Sequence, residues 1–386
     1  MNCSRFALSE LAQIKYGKNQ SKVENPNGKY PIYGTGGLMS YTDEFLYDKP
    51  SVLIGRKGTI GKVRYMETPF WTVDTLFYTV VNDEIINPKY LYYKLSQIDL
   101  NEYNEGTTIP SLRTDTLNRI ELDIQDRDTQ ERIVKIISPI ENKIASNNRT
   151  NDNLFKVVQA IYDDWFIKFN YPESNGEFIE SEFGPIPKGW SIGFVDDKIL
   201  TKIAKSGVET YLGKKSYVAT ADVSGRQITG SILLSFDERP SRANMQPVAG
   251  SVWFAKMENS VKNILVTEYM KEIHDNYIFS TGFMGLECLN NSAYYIWSYI
   301  NSKTFEEIKN NLSTGTLMAG ISNSTIKSAQ YVIPPHDLLD KFNLRVDGIF
   351  RTIYNNELEN QRLTRLRGTL LPELLNGKID ISNIDI

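Results

Sequence analysis

Two cysteines and two histidines in 386 residues close off much chemistry. Cys3 and Cys288 lie far apart with no close partner, so neither a disulfide framework nor a zinc site of closely spaced ligands is available. His274 and His336 are equally isolated, without the spaced Cys, His or carboxylate set that a catalytic or metal centre needs. No stretch approaches the roughly 18 apolar residues of a membrane span. Met1 to Lys15 lacks a basic region followed by an apolar one, so a cytoplasmic protein is expected. Enzyme signatures are missing as well. The segment Gly55 to Lys62 has glycines and cations, but not the phosphate-loop spacing, and Val63 stands where Ser or Thr would bind magnesium. An amino-methyltransferase would show Asn or Asp before Pro-Pro and an aromatic, which Pro334-Pro335-His336 does not supply. Neither a metal nor a cofactor is expected in this chain.

What is present is the composition of a soluble protein, 41% hydrophobic and 23% charged, at a length that suggests two globular units. The net charge of −4 opposes binding to a polyanion, but its distribution does not. Residues 1–70 hold ten Lys or Arg against six Asp or Glu, and residues 198–271 hold eleven against six. A polyanion responds to such local fields rather than to the total.

The chain also repeats itself at an offset of 209. Gly106, Thr107, Leu112, Leu117, Leu122 and Ile124 match Gly315, Thr316, Ile321, Ile326, Tyr331 and Ile333, and the apolar register then continues. Two copies make a pseudo-symmetric molecule with two equivalent sites, not a solenoid, which needs three or more units. Each copy begins with a mixed module. In the first, Ser51–Ile54 and Thr75–Val81 read as strands by β-branched and aromatic content, and Pro88–Leu100 as a helix. In the second, the strands are Val252–Phe254 and Tyr277–Ser280 and the helix is Ala293–Asn301. Each module is therefore expected to be α+β.

A long helix follows each module. Ile133, Ile137, Ile140, Ile144, Asn147, Asn151 and Leu154 alternate spacings of four and three, as do Phe342, Val346, Ile349, Ile353, Asn356, Asn360 and Leu363, with Leu366 and Leu370 beyond them. That is a coiled-coil seam, too narrow to line a globular core, so each helix is expected to pair with the other. The asparagines weaken the seam and penalise any register that leaves an amide unpaired. Thr129 to Phe166 would make a strut of about 57 Å. Between the halves, Asn170 to Gly189 reads as a linker by its Pro, Gly and Glu content.

This order resembles the specificity subunit of type I restriction-modification enzymes over essentially the whole chain. The resemblance rests on the linker Gly184-Pro185-Ile186-Pro187-Lys188-Gly189-Trp190, the run Leu374-Leu375-Asn376-Gly377-Lys378-Ile379, and the segment Val52 to Val63. It implies an α+β fold with two pseudo-two-fold related DNA-recognition domains, separated by two long antiparallel coiled-coil helices. In this sequence the parts would be a first target recognition domain at 1–128, a spacer helix at 129–169, a linker at 170–189, a second recognition domain at 190–337, and a second spacer helix with tail at 338–386. It further implies a non-catalytic subunit that reads a bipartite sequence in double-stranded DNA and directs methyltransferase (M) and restriction-motor (R) subunits to it. S-adenosylmethionine and ATP would then bind only in those partners. At the glycine-rich segment the second module departs from the first, with Val252 to Asn259 in its place.

Glycines at 55, 58 and 61 allow a backbone to approach phosphate closely, and Arg56, Lys57 and Lys62 bring charge. Thr59 lies between them. Tyr33 and Thr35 in the preceding glycine-rich loop, with Thr108 and Arg113 after Gly106, are further candidates. In the second module the set is Arg226, Arg239, Arg242, Lys256 and Lys262, with Thr316 and Ser322 added by the repeat. The alternative from another class is a protein-protein adaptor with two heads on a helical rod and no role on nucleic acid.

Overall fold

In a computed structural model, which describes residues 3–182, 184–315, 319–382 and 384, the chain divides into two compact units that cut across chain order. One comprises Met1–Ala145 with Asn360–Ile386, the other Ser146–Glu359.

The first unit runs β1 (Cys3–Ala7), α1 (Leu8–Leu11), β2 (Ala12–Tyr16), β3 (Tyr30–Gly34), β4 (Gly37–Thr42) and β5 (Ser51–Gly55). It continues with β6 (Val63–Met66), β7 (Trp71–Thr72), β8 (Leu76–Val81), α2 (Pro88–Ser96), α3 (Thr114–Asn118) and β9 (Glu121–Gln125). Then the long α4 (Arg127–Tyr162) begins. An antiparallel sheet has the order β2-β8-β5-β6, a smaller mixed sheet the order β4-β3-β7 with β3 and β7 parallel, and β1 pairs with β9. All five residues of β5 are buried, because Val52 and Ile54 join the main core while Leu53 packs with Phe70 and Leu76 on the other face. Two buried faces explain an apolar run without alternation. Helix α2 starts at Pro88, whose missing N–H costs nothing at that position, and the Asn87 side chain accepts from the amides of Lys89 (2.9 Å) and Tyr90 (3.3 Å).

The main core of this unit joins Ile133 and Ile137 of α4 to Leu371, Leu374 and Leu375 from the end of the chain. Lys94 Nζ donates to the Leu375 carbonyl (3.2 Å), Gln125 Nε2 to that of Leu374 (3.0 Å), and Arg367 pairs with Glu141 (3.4 Å). Each fully buried leucine contributes about 1.5–3 kcal/mol, so the chain's two ends are fastened to one module by apolar burial.

The second unit opens with the end of α4, closed by a π-helical turn at Asp163–Ile167, so the helix expected at 129–166 in fact spans 127–162 before it changes geometry. Inside the linker, β10 (Phe178–Ile179) and β11 (Ile186–Pro187) form a minimal hairpin. Next come β12 (Ser191–Phe194), β13 (Thr201–Ile203), β14 (Lys215–Val218), β15 (Val223–Ser224), β16 (Gln227–Ile228), β17 (Ile232–Leu234) and β18 (Ala243–Met245). The remainder is β19 (Ser251–Ala255), β20 (Asn263–Val266), α5 (Lys271–Asn276), β21 (Tyr277–Ser280), β22 (Phe283–Cys288), α6 (Ala293–Ile300), α7 (Lys303–Asn311), β23 (Gln330–Ile333) and α8 (His336–Leu375). The sheet orders are β13-β22-β19-β20 and β17-β14-β21-β18, and β12 pairs with β23. Trp190 of the linker motif is buried against Phe166, Phe169 and Tyr171, at ring separations of 6.0, 5.4 and 5.2 Å.

Within this unit the second half of α4 and the first half of α8 share a core, with Val158 and Tyr162 against Leu339, Phe342, Val346 and Ile353. Asn356 Nδ2 donates to Asn151 Oδ1 (2.7 Å), Asn151 Nδ2 to the Ile353 carbonyl (3.4 Å), and Asn147 Nδ2 to Glu359 (2.8 Å). The buried amides are thus partnered. Leu366, expected to extend the seam, is instead 46% exposed, as is its repeat equivalent Val157 at 47%. At those positions the apolar stripe has turned outward.

Strand for strand, β2, β8, β5 and β6 correspond to β13, β22, β19 and β20. Backbone hydrogen bonds repeat too. Asn82 N donates to Leu11 O and Leu289 N to Leu200 O, while Arg56 N donates to Thr75 O and Lys256 N to Gly282 O. Likewise Leu112 N donates to Arg56 O and Ile321 N to Lys256 O. The offset is therefore 189 at Leu11, 200 at Arg56, 207 at Thr75 and 209 at Leu112, so the modules differ by insertions that hide their relation in the sequence.

Candidate nucleic-acid interface

In both modules a seven-residue loop joins the paired strands that follow the buried core strand: residues 56–62 between β5 and β6, and 256–262 between β19 and β20. Each loop is bounded by cations, Arg56 and Lys62 in one and Lys256 and Lys262 in the other. The residues between differ completely, Lys-Gly-Thr-Ile-Gly against Met-Glu-Asn-Ser-Val. The expectation that the second module departs here holds for the side chains but not for the backbone, because the frame is set by main-chain hydrogen bonds. Gly58 N donates to Pro110 O (2.9 Å) and Glu258 N to Ala319 O (3.0 Å), which docks each loop on the loop that precedes Leu112 or Ile321.

In the first module the docking loop is clamped by Asn104, whose Oδ1 accepts from the amides of Gly106 (2.9 Å) and Ser111 (2.8 Å). Gly55 is required there, since a Cβ would overlap the Thr59 carbonyl oxygen, and Gly58 has a φ of +83°. Lys57, Thr59 and Lys62 are exposed at this edge, as is Thr108 on the docking loop. Thr35 Oγ1 lies 4.0 Å from where a Gly58 Cβ would stand, so the turn after β3 belongs to the same cluster. Tyr33 is half-buried, and burial pushes its phenol up. Arg56 is partly committed, with Nη1 donating to Asp74 O (2.8 Å) and the guanidinium 5.1 Å from the Tyr16 ring centre. Arg113 pairs with Glu105 (3.2 Å).

In the second module Lys256 is half-buried, which lowers its pKa, and Lys262 Nζ donates to Thr220 O (2.5 Å). Arg242 is exposed close by, with Nη2 3.6 Å from a Cβ position on Gly282, whose carbonyl holds Lys256 N. Lys309 Nζ donates to Ser260 O (2.6 Å) and ties down the loop, a residue that no motif pointed to. Arg239 lies over Phe236 (4.4 Å) and donates to Ala243 O (2.8 Å). The Ser322 hydroxyl accepts from Thr325 N (3.1 Å) in a local turn. Thr316 lies outside the described residues. Arg226 turns inward, its guanidinium 4.3 Å from the Phe155 ring and 3.6 Å from Asp152, with burial lowering its pKa. That packing removes it from the outward basic set.

Among the described residues no group of three His, Cys, Asp or Glu is placed to hold a metal ion, and no helix is long and apolar enough to cross a membrane. Burial pushes the Cys288 thiol well above its usual range.

A duplicated α+β module, with a cation-bounded loop and a long helix in each copy, defines a class of internally repeated two-module proteins. Residues 2–155 match the family described as type I restriction modification DNA specificity domain. The specificity subunit of the type I restriction enzyme MjaIX from Methanocaldococcus jannaschii is 24% identical over 359 residues, covering 88% of this chain and 80% of that protein. That of HindI from Haemophilus influenzae is 22% identical over 373 residues, covering 80% and 81%. The crystal structure of a type I restriction-modification S subunit from M. genitalium has the same fold, with a TM-score of 0.54 at 17% identity over 97% of this chain and 96% of that one. The first module thus matches that family's domain, and the chain as a whole is similar to type I restriction-modification specificity subunits.

Proposed function

We propose that this protein is a DNA-reading subunit without chemistry of its own, which recognises a bipartite duplex sequence and brings partner methyltransferase and restriction-motor subunits to it in the cytoplasm. The target recognition domains are residues 1–128 and 190–337, with the seam residues of 129–169 and 338–386 pairing the spacer helices. S-adenosylmethionine and ATP bind in the partners.

The observation that carries this reading is the pair of docked loops. Their terminal cations persist on a common frame while the residues between them change, as expected if phosphate attraction is common to both heads and base readout is particular to each. Lys57, Lys62, Arg242, Lys256 and Lys262 supply the electrostatic part, and Thr35, Thr59 and Thr108 offer hydroxyls to base edges. An adaptor without a nucleic-acid role has no use for two cationic loops so placed.

The test is selection from a randomised duplex pool by the full-length chain, alone and assembled with its methyltransferase subunit. Two short specified blocks separated by an unspecified gap are expected. Assembly with the methyltransferase but no enriched sequence would leave the adaptor as the better account.

A further inference from the structure

We infer that Arg64 is a further specificity-determining residue of the first module, a guanidinium held ready for the hydrogen-bonding edge of a guanine in the half-target this module reads. The inference rests on the DNA-reading role proposed above.

Arg64 sits on β6, the edge strand of the sheet, opposite Leu53 of β5 and two residues beyond Lys62. Its guanidinium lies against Gly37, with Nη2 3.4 Å and Cζ 3.7 Å from where a Cβ on that glycine would stand. Gly37 has a φ of +127°, which only glycine adopts readily, so the turn between β3 and β4 presents a bare backbone face to the planar group. Next to it Gly36 has open space where a Cβ would be. The Arg64 charge reaches the Tyr33 phenol and partly offsets the rise that burial causes there.

Two facts set Arg64 apart from four other arginines of the two modules. Arg56, Arg113, Arg226 and Arg239 all spend donors or charge on protein acceptors, carboxylates or rings. The side chain of half-buried Arg64 forms no hydrogen bond or ion pair with any other described residue. A partly desolvated guanidinium with five donors and no protein acceptor is suited to one from outside, and its fork matches guanine N7 and O6. The second fact is its counterpart. Ile54 pairs with Val63 and Phe254 with Asn263, so Ile264 occupies the place of Arg64 in the second module and is only 4% exposed. Cations at the loop ends are kept in both modules, as contacts to phosphate require of either head. A cation present in one module alone serves what differs between the heads, which is the sequence read.

The experiment compares the full-length chain with Arg64→Gln and Arg64→Lys, each taken through selection from a randomised duplex pool and then competed against targets altered one base pair at a time. At a single G·C pair in one half-target, discrimination should fall roughly 5- to 150-fold in both variants, since lysine keeps the charge but not the fork. The other half-target should be read as before, which also reports that the variants are folded. A uniform loss of affinity with an unaltered consensus would make Arg64 a phosphate contact and overturn the inference, as would an unchanged consensus at full affinity. If the wild-type chain selects no sequence, the DNA-reading role itself fails, and this inference with it.

Discussion

Asn151 is fully buried in the helix pair of the second unit, where its side chain both accepts and donates: from Asn356 Nδ2 at 2.7 Å, and to the Ile353 carbonyl at 3.4 Å. Asn151→Ala removes two hydrogen bonds, worth about 1 kcal/mol each, and strands the Asn356 amide, at a cost of about 1–3 kcal/mol. The expected loss is about 3–5 kcal/mol, which for a unit of this size, at about 2–4 °C per kcal/mol, lowers Tm by about 6–20 °C. Removing Asn356 as well takes away the stranded group, so the double variant should be less destabilised than the sum of the singles by about 1–2 kcal/mol. Urea unfolding followed by tryptophan emission suits the measurement, because Trp165, Trp190, Trp253 and Trp297 belong to this unit and only Trp71 to the other. Additive losses, or a neutral Asn151→Ala, would refute the view that this amide pair is a coupled, desolvated layer.

Gly55→Ala should cost about 1–3 kcal/mol in thermal stability and weaken DNA binding, because the added Cβ meets the Thr59 carbonyl and Ile60 Cα rather than a yielding side chain. Lys62→Ala should lower the slope of log affinity against log salt by about 0.9, one phosphate contact, without altering the selected sequence. Burial alone would raise the Asp196 carboxyl, but Lys198, Lys327 (2.8 Å) and the Ile203 amide (3.0 Å) hold it well below its usual range. Its depressed pKa stabilises the fold above about pH 4, and that contribution is lost as the pH falls further. Asp196→Asn should therefore lower Tm at neutral pH and match the wild type in strong acid, whereas parallel Tm curves for the two proteins would contradict this.

Much of the architecture was legible because it rests on periodicity. The long helices at 127–162 and 336–375 and the offset of 209 in the last part of each copy follow from apolar spacing alone, and the strands expected at 51–54 and 252–254 from β-branched and aromatic content fall within those at 51–55 and 251–255. The glycine and cation content of 55–62 marked a positively charged loop, since glycine frees the backbone from regular structure. By contrast, the equivalence of Arg56 with Lys256 and of Lys62 with Lys262 could not be read, because insertions shift the offset and the shared frame is made of main-chain hydrogen bonds that leave no trace in side-chain identity.

Only tertiary structure decided which cations are free. Arg226 and Arg64 look alike in the sequence, yet one is drawn onto Phe155 and Asp152 of a helix far away in the chain, while the guanidinium of the other, beside Gly37, has no hydrogen bond or ion pair among the described residues. The sequence by itself determined the duplicated modules, the long helices and the charge that the loops carry, since propensity, period and charge are local properties. The availability of a given side chain depends on neighbours brought close by folding, and so belongs to the tertiary structure alone.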